Sequence, residues 1–563
     1  MQNGIIKKTL SLLILMTGFV FAQDVKTLVP YDGTAATFLN AQIIADTTEN
    51  HGLLPNRVYE LQRDQYYFIN AEMRLAGPGE TLRIRAQEGS GALPIIYLWE
   101  TGAGTNPENP PGNVIRTQGG DLMLTNIAIT GFYEPEPTNL DKVQGNMFRN
   151  DVNGSSFFFD GCIFTNINGQ ILRTQNNTVT VSIKNCIFAN LGALTTSNLG
   201  AGKGIDLREK ECVEFILENN TFVNYLDRPV RHYNFGDPLA GTGLIHKGRI
   251  NHNTFINGMA YHGLLSLGNV GASMMITNNL FVDAFGLGED STDASRTAEW
   301  ANTGETYPNG NNRITWIFSA PNDITNWQVS NNYYVISDSG QAFLDDFNFG
   351  PASPLSYHIN SMIGADSVTA FKKIDLDLAN IPQMMTNTMR WYESPEGGDK
   401  SKNTPCECFD SATDDMDRQM ITYYRDTLDA SYSTGSEAYT GAQNSFPAGD
   451  LNWFPDKKAE WDDVTALEEI MKDRMATMFK LGQNYPNPFN PTTRIDFQVT
   501  KSGKVTLEVY NVIGQRVATL INKDLNSGSY TVDWDASRFT SGIYFYKLTQ
   551  GSYTTAKKMI LVK

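Results

Sequence analysis

Asn185-Cys-Ile-Phe188-Ala-Asn190, Asn219-Asn-Thr-Phe222-Val-Asn224, His252-Asn-Thr-Phe255-Ile-Asn257 and Asn278-Asn-Leu-Phe281-Val-Asp283 are one phrase written four times. With fainter copies on either side, the central residue recurs as Ile129, Phe164, Phe188, Phe222, Phe255, Phe281 and Tyr334, at steps of 35, 24, 34, 33, 26 and 53 residues. Five positions before each anchor stand Leu124, Phe159, Ile183, Leu217, Ile250, Ile276 and Val329. Seven before stand Leu122, Phe157, Val181, Phe215, Gly248, Met274 and Trp327, with Gly248 the one break in the apolar series. Alternation at period two means a strand with one apolar face. A turn follows, two residues before the anchor, at Ile127, Cys162, Cys186, Asn220, Asn253, Asn279 and Asn332. Asparagine suits such a turn because it tolerates left-handed backbone angles and its amide can bond the same group one rung away, about 4.8 Å along the stack.

A strand with one apolar face cannot bury it alone, so the copies must stack, and the shortest step of 24 residues matches one coil of a parallel β-helix. Longer steps are coils that carry a loop. Leucine-rich repeats need several fixed leucines per unit and propeller blades need antiparallel hairpins about 40 residues apart; neither pattern is present. Val58-Tyr-Glu-Leu61, Leu82-Arg-Ile-Arg-Ala86 and Ile95-Ile-Tyr-Leu98 read as the first coils and their cap. Cys162 and Cys186 then fall on neighbouring coils, as buried thiols or as a disulfide. Five cysteines are too few for a disulfide scaffold, and Cys406-Glu-Cys408 has no partner pair at zinc spacing, so no metal site is assigned.

The bulk composition narrows the partners. A net charge of −17 on 563 residues disfavours nucleic acid, whose phosphates it would repel. Residues 1–22 read as a signal peptide: Lys7 and Lys8, an apolar run from Leu10 to Val20, and Ala22 before the expected cleavage. That run is shorter than the roughly 20 residues of a spanning helix, and no later stretch is apolar enough to be a transmembrane segment of the mature chain.

Residues 23–405 are assigned to the helix with its N-terminal cap, and 406–480 to an acidic irregular region packed on the helix end and an amphipathic linker helix opening at Asp456. The linker helix carries Trp461, Val464, Leu467, Met471, Met475 and Met478 on one face. Residues 481–563 contain short alternating strands with turn signals about every ten residues, the pattern of a small Ig-like β-sandwich. The overall expectation is all-β: a right-handed parallel β-helix, a short helix and a C-terminal sandwich. The last segment opens Gln483-Asn-Tyr-Pro-Asn-Pro-Phe-Asn-Pro491 and continues with Val509-Tyr-Asn-Val-Ile-Gly514, Ser541-Gly-Ile-Tyr544 and a basic end at Lys563. In these motifs it resembles the type A C-terminal sorting domain of the type IX (Por) secretion system. The resemblance implies export to the outer-membrane surface or the medium via the periplasm, and the secretion machinery as a partner.

The helical part resembles pectate-lyase-like β-helices, and more closely an uncharacterised group of secreted helices sharing the Ile205-Asp206-Leu207-Arg208 phrase. No catalytic motif of a characterised lyase lies on this sequence. The resemblance implies a polysaccharide as partner. Four of six histidines, His232, His246, His252 and His262, fall in one stretch with Arg228, Arg231, Lys247 and Arg249. A lyase of acidic glycans needs a base beside a uronate carboxylate and positive charge to hold the developing enolate. Arg231, His232, Lys247 and Asp206 are the candidate catalytic residues, and Arg208, Arg228, Arg249, His262 and Tyr233 the candidate substrate contacts. Asp206 and Asp227 would orient these groups or hold calcium. Two alternatives stay open: a glycoside hydrolase using Asp206, Asp227, Glu209 or Glu211, and a non-catalytic rod that grips sugar rings with Tyr225, Tyr233, Tyr261, Trp300 and Trp316.

Overall fold

Each phrase turns the chain through one corner of a three-sided coil. The computed structural model describes residues 23–102, 107–136, 139, 142–192, 200–232, 243–284, 292–294, 317–349, 354–382, 386–401, 428–465, 480–499, 503–526, 528–551 and 553–563. The chain divides into two units, Met1–Pro455 and Asp456–Lys563.

In the first unit a coil runs through three strands, for example Thr178–Lys184, Ile187–Leu191 and Lys203–Asp206, before the next begins at Cys212–Glu218. The three positions stack into three parallel sheets, here A, B and C, of 10, 10 and 8 strands among the described residues. Register follows the repeat: Phe164, Phe188, Phe222, Phe255, Phe281 and Tyr334 pair in succession on sheet B. The rings form a column, with Phe188 and Phe222 at 4.4 Å and 6° and Phe255 and Phe281 at 5.0 Å and 8°. Gly248 breaks the apolar series for a reason: a Cβ there would lie 2.3 Å from Met274 Cε, so the thioether of the next coil occupies the vacated space.

The turn between sheets A and B divides between two residues the jobs expected of one. The left-handed angle falls three positions before the anchor, at Asn126, Asn185, Asn219, His252, Asn278 and Asn331, with φ of 52–60°, and at Gly161. The amide ladder stands one residue later. Asn220 donates to Asn253 at 2.9 Å, Asn253 to Asn279 at 3.0 Å and Asn279 to Asn332 at 2.9 Å, while each amide also donates to a strand carbonyl. Every donor and acceptor of these buried amides is thereby used in a solvent-free corner. Towards the N-terminus thiols take over, and the Cys162 N–H donates to Cys186 Sγ at 3.4 Å. Cys162, Cys186 and Cys212 are buried free thiols. The asparagine that ends each phrase forms a second ladder at the far end of sheet B, from Asn224 to Asn190 to Asn166.

The helix Leu39–Glu49 closes the first coil, with Leu39 and Ile43 wholly buried in the core. Residues 428–455 lie on the flank of the coils and not on their end. Leu428, Ala430 and Trp453 pack against Ile163, Ile187, Val223 and Ile256, so sheet B is buried on both faces. This strap uses the corner side chains directly: Gln443 N–H donates to Asn278 Oδ1, Leu451 N–H to Asn219 Oδ1, and Trp453 Nε1 to Thr221 Oγ1. Within 406–480, residues 406–427 and 466–479 lie outside the described residues; residues 455–465 are helical, and Leu467, Met471, Met475 and Met478 fall beyond them.

The second unit holds two antiparallel sheets. One comprises Lys480–Leu481, Thr492–Val499 and Gly528–Asp535; the other comprises Arg516–Leu525, Gly503–Asn511, Gly542–Gln550 and Tyr553–Leu561 in spatial order. Ile495, Phe497, Leu507, Val509, Trp534, Tyr546 and Leu548 fill the space between them.

Asn253 tests the ladder. Replacing it by Ala leaves buried partners on two coils unmet and should lower the unfolding free energy by about 2–4 kcal/mol. Asp, which sets oxygens against the Leu217 carbonyl and Asn279 Oδ1, should cost more than Ala. Comparing Tm values for the two variants checks the order.

Candidate functional site

Sheet C carries a charged row. Phe148, Leu172, Ile205, Val230 and Leu265 pair in succession and point into the core. The following residue of each strand is also in register, on the outer face: Arg149, Arg173, Asp206, Arg231 and Ser266, continued upstream by Arg116 and Arg74. Parallel strands lie about 4.8 Å apart, so guanidinium groups recur along the coil axis at that interval.

Like charges this close require counter-charges. Arg116 binds Glu72 and Asp151, and Gln118 donates to Asp151 at 2.8 Å. Downstream, Asp206 stands between Arg173, at 3.8 Å, and Arg231, whose Nη1 reaches both carboxylate oxygens at 3.1 and 3.4 Å. Among the described residues Arg149 has only a 3.5 Å contact with the Asp151 that Arg116 already occupies. The Nε–H groups of Arg149, Arg173 and Arg231 make no hydrogen bond among the described residues. Burial pushes the Arg173 pKa down, Asp206 opposes this, and Arg208, Arg231 and Arg149 push it further down, which places four guanidiniums in one field. The side chains of Arg149 and Arg173 remain 34% and 31% exposed.

A second cluster sits at the corner between sheets B and C. Asp227, fully buried, forms an ion pair with Lys203 Nζ at 2.8 Å and accepts from His262 Nδ1 at 2.9 Å and the His262 backbone N–H at 3.2 Å, with Arg228 Nε at 3.9 Å. Burial alone would raise its pKa, but Lys203, His262 and Arg228 outweigh burial and hold it well below the usual carboxylate range. Burial pushes Lys203 below the usual amine range, against the pull of Asp227. Arg228 Nη1 approaches Ser266 Oγ at 3.5 Å, which joins this corner to the end of the arginine row.

Of the expected catalytic residues, Asp206 and Arg231 meet on sheet C. Lys247 and Arg249 do not join them: they lie on the outer face of sheet A, Lys247 exposed beside Glu214 and Arg249 at 3.3 Å from Glu218. The chain enters sheet A directly after the sheet C turn, so closeness in sequence puts these residues on a different side of the coil. His232 is buried with both ring nitrogens on carbonyls, Leu267 O at 2.9 Å and Lys210 O at 2.8 Å, and burial lowers its pKa. An imidazole held in this way orients two loops and does not face a substrate. His252 takes the left-handed turn position, covered by Gly449 and Phe446, and burial pushes its pKa down to about 3. Arg208 sits in a left-handed turn beside Glu209. Arg228 and His262 belong to the buried corner, and Tyr233, Trp300 and Trp316 lie outside the described residues. Tyr225 and Tyr261 are buried and present no ring for stacking.

Calcium does not fit Asp206 and Asp227, because their oxygens already face Arg231 and Arg173, or Lys203 and His262. No group of three or more His, Cys, Asp or Glu side chains disposed to hold a metal occurs among the described residues. For a glycosidase pair, Glu211 is engaged with His246 at 2.6 Å, and Asp227, held well below the usual carboxylate range by Lys203, His262 and Arg228, is unsuited to the role of protonated acid.

The reading from sequence did not pick out Arg116, Arg149 and Arg173. Their signal was present in part, since Arg173 follows Phe164 and Arg231 follows Phe222 at the same interval of nine residues.

Residues 483–563 match the family described as the secretion system C-terminal sorting domain. No curated protein matches the chain. No helix among the described residues is long and apolar enough to cross a membrane.

Replacing Asp227 by Asn should cost about 3–5 kcal/mol at neutral pH, since the buried Lys203 loses the carboxylate it is paired with. A carboxylate whose pKa is depressed on folding contributes its stability above the unfolded pKa and loses it as pH falls through the folded one. The difference in Tm between wild type and Asp227→Asn should therefore be largest near neutrality and shrink on acidification below about pH 4.

Proposed function

We propose that the sorting domain delivers to the cell surface or medium a β-helix whose sheet C binds an acidic polysaccharide lengthwise along its arginine row. The chain carries that domain, and with it secretion or surface attachment. The observation supporting the ligand class is the in-register run Arg149, Arg173, Asp206, Arg231, in which three guanidiniums are met among the described residues by the carboxylates of Asp151 and Asp206, while the side chains of Arg149 and Arg173 stay partly open to solvent. A linear polymer with a carboxylate or sulfate on each ring matches a row with a fixed repeat, and arginine pairs with such groups through two parallel N–H donors. The net charge of −17 repels polyanions elsewhere, so the row also confines where such a ligand docks.

Binding is preferred here to cleavage because, among the described residues, the candidate bases are otherwise engaged: His232 is locked between carbonyls, Asp206 is held by Arg231 and Arg173, and Lys247 belongs to another sheet. Polygalacturonate, alginate, chondroitin sulfate and uncharged dextran, titrated against the purified chain, test the reading. The acidic polymers should bind and dextran should not. Arg173→Ala and Arg149→Ala should each weaken binding roughly tenfold, about 1.4 kcal/mol, with a shallower salt dependence. Equal affinity for dextran, or unchanged binding by both variants, would overturn the proposal. Absorbance of an unsaturated product, followed in the same samples, would establish a lyase instead.

A further inference from the structure

The two outer faces of the C-terminal sandwich differ sharply. On the sheet containing Thr492–Val499 and Gly528–Asp535, the outward positions are polar and paired with one another: Arg494 with Asp533 at 3.0 Å, and Thr531 with Asp496 at 2.7 Å. This is what a solvent-facing sheet needs. On the other sheet, Tyr510 stands opposite Phe545 and Phe545 opposite Lys558, while Ile543 stands opposite Ile560. These four apolar residues share the outward side, because Val509, Tyr544, Tyr546 and Met559 between them are buried. Phe545 and Ile543 are 40% and 42% exposed.

The hairpin beyond Tyr510 extends the apolar character. Val512 and Ile513 are 65% and 72% exposed at a tip that should be polar. The tip is held rigidly, since Asn511 Oδ1 accepts from the N–H groups of both Ile513 and Gln515. Around the apolar centre the charges are mostly positive. Lys547 lies 5.2 Å from the Tyr510 ring and Lys558 adjoins Phe545, while Arg516, opposite Tyr510, is paired with Glu508. Residues 483–563 hold ten Lys and Arg against five Asp and Glu, a net charge of +5 in a chain whose total is −17.

We infer that this face, centred on Phe545 and Ile543, is the surface by which the sorting domain docks on a protein of the export machinery, one that offers an apolar depression edged by carboxylates. Charge complementarity selects that occupant, because a second copy of this domain would set lysine against lysine. The polar sheet on the other side supplies no comparable anchor. An apolar centre inside a charged rim is the usual anatomy of a protein-binding patch.

The test uses the full chain expressed in a host that exports proteins through such a domain, with the fraction outside the cells as readout. Ile543→Thr with Phe545→Thr keeps strand-forming side chains on an outward face, and it should lower the exported fraction at least about tenfold without changing the Tm of the purified chain. Lys547→Glu with Lys558→Glu changes only the rim and should reduce export in the same way. Arg494→Thr with Asp533→Thr, on the polar sheet, should export as wild type. Wild-type export by either of the first two double variants, or an equal loss in the third, would overturn the inference. Should the threonine variant fail to fold, the rim variant alone decides.

Discussion

The first unit depends on one hydrogen bond repeated along its corner, from the amide of one turn to the amide of the next. A parallel strand gains its partners only when neighbouring coils agree in register, and a slip of one residue would turn every apolar side chain outward. The amides of Asn220, Asn253, Asn279 and Asn332 can be satisfied in a dry corner only at the native register. The stacked rings of Phe188, Phe222, Phe255 and Phe281 bury apolar surface at that same register. Directional polar groups and non-directional apolar ones thus enforce a single alignment.

That alignment also creates the candidate site. Once the coils are in register, whatever stands outside the core on sheet C becomes a row, however far apart the residues lie in sequence. Arg149 and Arg231 are 82 positions apart, yet only two strands separate theirs in the sheet. The row is crowded with positive charge, and Asp206 and Asp151 relieve part of it. What is left unrelieved is the positive charge on which the proposed binding of an anionic polymer rests.

The fold was legible because its signal is local and repeated: the anchor, the two apolar positions before it and the turn lie within eight residues of one another. The same phrase hid a finer division of labour, since Asn219 and Asn220 look interchangeable in sequence while one bends the backbone and the other bonds across coils. The site was much less legible. Between sheets B and C the connections vary in length, so Phe164 predicts the place of Arg173, but Phe188 is followed by a longer loop before Asp206. Lys247 illustrates the opposite error: its nearness to Arg231 in sequence spans a corner, and corners separate faces. The strap was invisible for a different reason. Its bonds to Asn219, Thr221 and Asn278 span more than 160 residues and follow no period.

The course of the strap gives the protein a mechanical character. Its attachments run from Asn278 through Thr254 and Asn219 to Asn185, back towards the earlier coils, before the chain leaves at Pro455. Tension arriving through the C-terminal connection would therefore enter the stack at its middle coils and not at the last one. In a body held by that end in flowing liquid, the first bonds to carry the load would lie where the stack continues on both sides.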